Sequence, residues 1–366
     1  MSTDERYIRA CISLAKRAGN QTSPNPLVGC IIVKDGRIIS EGYHRKFGDL
    51  HAERVALSKL NYNAEGATLY VNLEPCCHWG KTPPCTEAII KSGIKRVVVG
   101  MVDPNPQVSG KGIETLRSAG IEVTTGVLER ECKYLNRGFI KWIKTGLPYV
   151  ILKWAQTIDG KIATINGESK WISSDRSLRF AHSLRAFCDA IIIGKRTLEM
   201  DDPELTVRLV KGHNPKRIVL MGEIKIDKNY RILEVNPENT WIFGVDIDKE
   251  TKNLLIKKGV RFTIVKGKDG RVDLLTLLKI LGDEGYTKVL VEGGGTVHGA
   301  FIRENLFDEI NVVIAPKVMG YGKEAVSAEL TTSISNLREL HLYQVKRLIK
   351  DVLITFINPQ SLSFLS

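Results

Sequence analysis

Between residues 28 and 125 the chain alternates short β-branched apolar runs with segments of helical spacing, and from about residue 149 a second such series begins. This pattern limits the fold more than any other feature. Strands alternating with helices give a mixed or parallel sheet covered by helices, because each element buries one apolar face against another layer. "VGCIIVKDGRIISEGY" (28–43) reads as a hairpin turning at Asp35-Gly36, a pair suited to a two-residue turn. "ATLYVN", "RVVVGM" and "IEVTTG" read as strands. Helices are expected over 4–18 (apolar Ile8, Cys11, Ile12 and Ala15, ended by Gly19 and Asn20), from about His51, from near Pro84 and over "GKGIETLRSAG". "KTGLPYV" at 144–150 carries Gly146 and Pro148 and reads as the join. Beyond it, "YVILKWAQT", "DAIIIG", "RIVLMG", "TWIFGV", "RFTIVKG", "KVLVEGGG" and "EINVVIAP" are further strands, with helices at 174–187 and 271–284. The expected fold class is α/β, in two domains of residues 1–146 and 147–366.

Bulk properties narrow the class of protein. A length of 366 residues fits two domains at roughly 100–200 residues each. No apolar run reaches the ~18 residues of a membrane span, and "MSTDERYIRA" is too polar for a secretory signal. A cytoplasmic location without membrane association is expected. Seven cysteines are too few for a disulfide scaffold, so closely spaced ones point to metal or catalysis. The net charge of +12 suits an anionic partner, or simply a solvated lysine-rich surface. The lysines are scattered, with no basic–aromatic tract, so no nucleic-acid surface is indicated.

"NLEPCCHWGKTPPC" (72–85) holds Cys76, Cys77, His78 and Cys85. Upstream, His51-Ala52-Glu53 is His-x-Glu, and Pro75-Cys76 matches the Pro-Cys of the zinc nucleoside-deaminase signature. The residue types fit the chemistry. Zinc held by one His and two Cys keeps a fourth position open and lowers the pKa of bound water to about 7. A neighbouring carboxylate then moves the proton from water to the ring and the leaving amine. Neighbouring cysteines diverge, so Cys76 and Cys77 do not both ligate one ion. Cys85, after Pro83-Pro84, opens a helix whose N-terminus favours a thiolate. His51, Cys76 and Cys85 are therefore the expected ligands of one zinc per chain, with Glu53 as acid–base. Of Cys77 and His78, one is expected to pack and the other to line the pocket or face water.

These residues resemble a known family. "HAE" followed by "LEPCCHWGKTPPC", with eight residues between Cys76 and Cys85 where common deaminases have two, is similar to the bifunctional riboflavin-biosynthesis diaminohydroxyphosphoribosylaminopyrimidine deaminase/5-amino-6-(5-phosphoribosylamino)uracil reductases. "SPNPLVGC" (23–30) and "DPNPQVSGKG" (103–112) fit the same family. The resemblance implies that Asn25, His44 and Lys81 hold the pyrimidine or its ribose phosphate. From the residues alone, Asn25 could equally shape a turn, His44 cap a strand and Lys81 be a solvated charge.

"KVLVEGGGTVHGAFIREN" is a strand, a glycine turn and a helix. Backbone N–H groups at such a helix start can hold a phosphate, although a plain tight turn reads the same way. It is a poor dinucleotide fingerprint, since no acidic residue follows at the ribose-binding distance. "LKWAQTIDGKIA", "GESKWISS", "LRAFCDAIIIGKRTLEMDDPELTVR" and "VEGGGTVHGAF" resemble the reductase half of the same family. That implies a dihydrofolate-reductase-like domain after a cytidine-deaminase-like one, with NADPH as cofactor. By the family pattern Ala155, Trp171, Thr197, Asp201 and Gly294, Gly295, Thr296, Val297, His298, Gly299 and Ala300 contact NADPH. Ser169, Arg185, Leu205, Arg208 and Glu292 contact substrate, and Lys153 faces the reacting carbon. Alternatively the arginines are surface ion pairs and Trp171 is core.

The resulting expectation is a two-step enzyme. Zinc hydrolysis removes the 2-amino group of 2,5-diamino-6-ribosylamino-4(3H)-pyrimidinone 5′-phosphate, and NADPH then reduces the ribosyl group to ribityl. A homo-oligomer is expected. Rival readings are a tRNA or nucleoside deaminase with an unrelated nucleotide-binding domain, and a nucleotide-binding regulator with a closed structural zinc.

Overall fold

Asp35 and Gly36 take φ of 50° and 73°, and Lys34 pairs with Arg37 across them. The turn thus joins β1 (Gly29–Lys34) to β2 (Arg37–Tyr43) as its sequence requires. In the computed structural model, which describes residues 1–79, 83–170 and 172–365, β1 also pairs antiparallel with β3 (Thr68–Val71). The strands β4 (Arg96–Val99) and β5 (Glu122–Thr125) continue the sheet in parallel, giving the order β2-β1-β3-β4-β5. Its helices are α1 (Thr3–Ala15), α2 (Ala52–Ser58), α3 (Cys85–Lys91), α4 (Lys111–Ser118), α5 (Glu129–Leu135) and α6 (Arg137–Thr145). The core sets Cys30, Ile32, Leu69, Val71, Val97 and Val99 of the sheet against Ala56, Leu57, Ile89 and Leu116 of the helices. Neither α5 nor α6 was expected. α5 buries only Cys132 and Leu135, so its apolar period is weak, whereas α6 buries Phe139 and Ile140 on one face of an amphipathic segment whose period was readable.

Gly42 sets the distance between a helix and the sheet. A Cβ there would fall 2.4 Å from the Ala52 carbonyl oxygen and 2.6 Å from the Ala56 nitrogen. Its bare Cα lets α2 lie directly on β2, and this contact fixes where His51 and Glu53 enter.

The chain divides into two compact units, Met1–Gly146 with the chain end from Phe364, and Leu147–Ser363. Gly146 ends α6 in the left-handed region, at φ 73°. The second unit contains β6 (Tyr149–Gln156), β7 (Lys161–Ala163), β8 (Ala190–Gly194), β9 (Lys216–Leu220), β10 (Glu223–Ile224), β11 (Thr240–Gly244), β12 (Asp246–Ile247), β13 (Arg261–Ile264), β14 (Lys288–Val291), β15 (Glu309–Ile314), β16 (Lys323–Glu324), β17 (His341–Leu348) and β18 (Asp351–Ile357). Nine of these make one sheet, in the order β13-β11-β9-β8-β14-β6-β15-β18-β17. It is parallel from β13 to β15, and β18 and β17 close one edge antiparallel. The connecting helices are α7 (Asp175–Phe187), α8 (Lys195–Asp201), α9 (Arg231–Glu234), α10 (Lys249–Lys258), α11 (Leu274–Asp283) and α12 (Gly295–Arg303). Central strands such as "AIIIG" are buried throughout, which is why they read as continuous apolar runs. The α/β class is as expected. No helix among the described residues is long and apolar enough to cross a membrane.

The close approach at Gly42 yields a test. Gly42→Ala forces α2 off β2 and should destabilise the first unit by about 1–3 kcal/mol. Urea unfolding followed by a probe in that unit measures it, and an unchanged midpoint would refute the contact.

Candidate active sites

His51 is the N-cap of α2 and Cys85 the first residue of α3. The two helix starts are tied by Arg54, whose Nε donates to the Pro83 carbonyl (3.0 Å) and Nη2 to the Pro84 carbonyl (2.8 Å). The loop after β3 brings Cys76 to the same point. One ligating atom from each of His51, Cys76 and Cys85 lies within 4.8 Å of the others. His51 Nδ1 is 3.4 Å from each sulfur. A tetrahedral zinc with bonds of about 2.0–2.3 Å has edges of about 3.3–3.8 Å between ligand atoms. One imidazole and two thiols at this spacing fit zinc, with a fourth direction left open. Contact with Cys85, then with His51, holds Cys76 well below the ordinary thiol range, and the Cys85 backbone N–H donates to its sulfur at 3.4 Å. The shared contact and burial push Cys85 up, so the pair together favours one thiolate in the absence of metal. Cys77 does not join the cluster.

The cluster borders a cavity of about 260 Å³, also lined by Asn25, His44, Glu53, Glu74, His78, Asp103 and Asn105. Glu53 is buried, and desolvation pushes its carboxyl up to about 7 despite the nearby His51. His44 makes two contacts. Nδ1 lies 3.1 Å from the Leu50 carbonyl and Nε2 3.1 Å from Asn25 Nδ2. Burial lowers its pKa, so the ring is neutral, donating to Leu50 and accepting from Asn25. His78 lines the cavity with a buried Nδ1 that has no partner among the described residues. Lys81 lies outside the described residues.

Two acids here went unassigned in the sequence. Glu74 accepts backbone N–H groups from Asp103 (3.1 Å), Gly110 (2.9 Å), Gly112 (2.9 Å) and Ile113 (3.2 Å), which ties the start of α4 and its preceding loop to the cavity wall. Desolvation pushes Asp103 up to about 7. "DPNPQVSGKG" marked this loop, but no local signal says that its first residue faces the cavity.

In the second unit a cavity of about 880 Å³ opens at the carboxyl ends of β6, β8, β9 and β14. Lys153, Ala155, Ser169, Arg185, Thr197, Asp201, Leu205, Glu292, Gly294, Gly295, Thr296, Val297 and Ala300 all line it. Arg185 grips Glu292 Oε2 through Nε (3.0 Å) and Nη2 (2.6 Å). Oε1 of Glu292 is buried without a partner among the described residues. Burial alone would raise the Glu292 pKa, but Arg185 and Lys153 outweigh it and hold the carboxylate ionised. Burial, first, lowers the pKa of Lys153, and Glu292 opposes that. Three expected residues lie elsewhere. The Arg208 side chain, half exposed, bonds Glu204 (3.1 Å) and Thr206 (2.7 Å). His298 is wholly buried, with Nδ1 3.1 Å from the Ala325 carbonyl, and Gly299 packs against Ser327 and Ala328. None of the three lines the cavity. Trp171 lies outside the described residues.

The two sites define a class, a zinc-type deaminase unit joined to a reductase unit. Comparison with known proteins carries this further. Residues 1–101 match the cytidine and deoxycytidylate deaminase zinc-binding region, and residues 148–354 match the RibD C-terminal domain. The riboflavin biosynthesis protein RibD of Aquifex aeolicus is 44% identical over 354 residues, covering 96% of this chain and 98% of its own. That of Escherichia coli is 41% identical over 330 residues, covering 87% and 89%. Among solved structures, a Thermotoga maritima diaminohydroxyphosphoribosylaminopyrimidine deaminase/5-amino-6-(5-phosphoribosylamino)uracil reductase superposes with a TM-score of 0.84 at 37% identity, covering 97% and 98%. Acinetobacter baumannii RibD gives 0.82 at 38%, with the same coverage. The chain belongs to the RibD family, bifunctional deaminase–reductases of riboflavin biosynthesis.

The cluster geometry makes a prediction about zinc content. Cys77→Ser should retain zinc near the parent level, whereas Cys76→Ser and Cys85→Ser should each lose most of it. Atomic absorption on purified protein decides, and a zinc-free Cys77→Ser protein would contradict the assignment.

Proposed function

We propose that the first unit deaminates 2,5-diamino-6-ribosylamino-4(3H)-pyrimidinone 5′-phosphate and that the second reduces the ribosyl group of the product to ribityl with NADPH. The observation that carries the reading is the convergence of His51, Cys76 and Cys85 beside a buried Glu53 in one cavity. His51, Cys76 and Cys85 hold one zinc, which when bound supplies a water acidic enough to attack at neutral pH. Glu53 would carry one proton of that water to the ring nitrogen and then a second, from the added hydroxyl, to the amine, which leaves as ammonia. Its raised pKa suits a group that must both accept and give at neutral pH. His44 commits the Asn25 amide N–H to itself, so the Asn25 carbonyl oxygen remains to accept from the pyrimidine. Lys81, by the family resemblance, helps hold the pyrimidine or its ribose phosphate.

In the reductase unit the starting turn of α12, Gly294–Thr296, offers backbone N–H groups to the cofactor pyrophosphate. Ala155, Thr197, Asp201, Val297 and Ala300 complete the cofactor wall, and Ser169, Arg185, Leu205 and Glu292 the substrate wall. NADPH bound here would supply a hydride to the ribosyl C1′. As the C1′–ring-oxygen bond breaks the ring oxygen would need a proton, and Lys153, which lines the cavity, would donate it. Its burial lowers the cost of releasing that proton.

The test is to offer the aminopyrimidine phosphate with NADPH and follow ammonia and the loss of nicotinamide absorbance together. Equal release of ammonia and consumption of NADPH supports the reading, and activity on tRNA or free nucleosides alone would oppose it. Glu53→Gln should keep zinc and fold while losing at least the ~100-fold typical of a general acid–base group. Undiminished ammonia release from that variant would remove Glu53 from the mechanism.

A further inference from the structure

The large cavity is electrostatically lopsided. At the β6–β14 end, Lys153 and Arg185 face Glu292. Lys195 pairs with Glu199 at 3.7 Å, Arg303 with Glu304 at 3.5 Å, and Lys323 lies in the field of Asp201. Arg196 and Arg271 also line the cavity, and among the described residues neither guanidinium has an ion-pair or hydrogen-bond partner. Both are exposed.

Strand register puts these two at the end away from Glu292. Leu152 of β6 pairs with Val291 of β14, and Val291 pairs with Ile192 of β8. Gly194 at the end of β8 pairs with Leu220 at the end of β9. Arg196 follows Gly194 by two residues. Arg271 belongs to a loop that packs against the end of β9, where a Cβ on Gly222 would meet the Gly270 carbonyl at 3.2 Å. Along the cavity the order is therefore Lys153, Glu292 with the glycine turn, Arg196, then Arg271. Neighbouring strands lie about 4.8 Å apart, so β6 to β9 spans about 14 Å.

A dinucleotide laid in this crevice, outside the carboxyl ends of the strands, has its two halves placed by these groups. With the reacting ring by Lys153 and Glu292 and the pyrophosphate at the start of α12, the adenosine falls between Arg196 and Arg271. We propose that Arg196 and Arg271 grip the 2′-phosphate of the adenosine ribose and set the preference for NADPH over NADH. The inference rests on the reductase reading above and adds the residues that read the cofactor. The two cofactors differ only by that phosphate, a dianion that guanidinium groups bind through paired N–H donors. The open position of both side chains suits them, since the 2′-phosphate of a bound dinucleotide stays close to solvent. Uncompensated cations are retained at the one place where the ligand brings the missing charge.

The experiment uses the intact chain and the variants Arg196→Met and Arg271→Met. Methionine keeps much of the apolar stem, and exposed positions of this kind seldom affect folding. Calorimetry measures binding of 2′,5′-ADP and 5′-AMP, and kinetics with the deaminated substrate measure kcat and KM for NADPH and NADH. Each variant should weaken 2′,5′-ADP by about tenfold or more, as expected for a lost charged contact, and leave 5′-AMP unchanged. KM for NADPH should rise with kcat kept, and NADH kinetics should not move, so the double variant nearly loses the preference. Unchanged 2′,5′-ADP affinity in both variants, or a parent protein that uses both cofactors equally, would overturn the proposal. If the intact chain oxidised neither cofactor, the reductase reading itself would fall and this inference with it.

Discussion

Arg54 holds together the part of the deaminase unit on which its chemistry depends. It projects from the first turn of α2 and donates to the two carbonyls that precede α3. Those carbonyls belong to Pro83 and Pro84, so the segment leading into Cys85 is stiff as well as anchored. The core packs α2 and α3 together through Ala56, Leu57, Ala88 and Ile89, and this link adds a polar tie at the ends that carry His51 and Cys85. With it, both helix starts point at one place, and their backbone N–H groups favour the charged sulfur that a metal requires. Gly42 below α2 and Glu74 below the facing loop complete the frame. The cavity is small, and most of its polar groups are already paired with the protein.

The reductase unit solves a related problem differently. Its cavity lies where parallel strands end, and the strands alone bring Lys153 and Glu292 to adjacent positions. A buried carboxylate costs several kcal/mol unless it is paired. Glu292 is paired on one oxygen by Arg185 and, among the described residues, left unmatched on the other. That unmatched oxygen is a specific demand for a donor, which a substrate hydroxyl or amine can meet. The remaining charge in the cavity follows the same logic, with acids beside bases wherever no ligand is needed.

Much of this was legible from residue order. The hairpin was readable because Asp-Gly favours positive φ, and the central strands because burial on both faces makes them continuously apolar. His51, Glu53, Cys76 and Cys85 could be singled out since their chemistry demands those types in that order, and the structure brings the three ligand candidates together. What could not be read depends on contacts between distant segments. Arg54 looks like any helix arginine until the 83–84 carbonyls arrive beside it. Glu74 is one acid among many until four amides from residues 103–113 converge on it. β17 is an edge strand exposed along most of its length, so burial leaves little periodic signal in it, whereas β18, "DVLITFI", carries an apolar β-branched run that was readable and went unassigned. Arg208 and His298 were named from the family resemblance, and the structure gives each a protein partner that sequence could not show, Glu204 for Arg208 and the Ala325 carbonyl for His298.

The central claim is that the cluster holds zinc by three protein ligands and keeps a fourth position for water. X-ray absorption at the zinc edge of the purified intact chain tests it directly. Two sulfur ligands and one nitrogen at the distances usual for zinc are predicted, with one light oxygen ligand completing the shell. A shell of four protein ligands, with a third sulfur from Cys77 or a second imidazole from His78, would contradict it and would make the site structural.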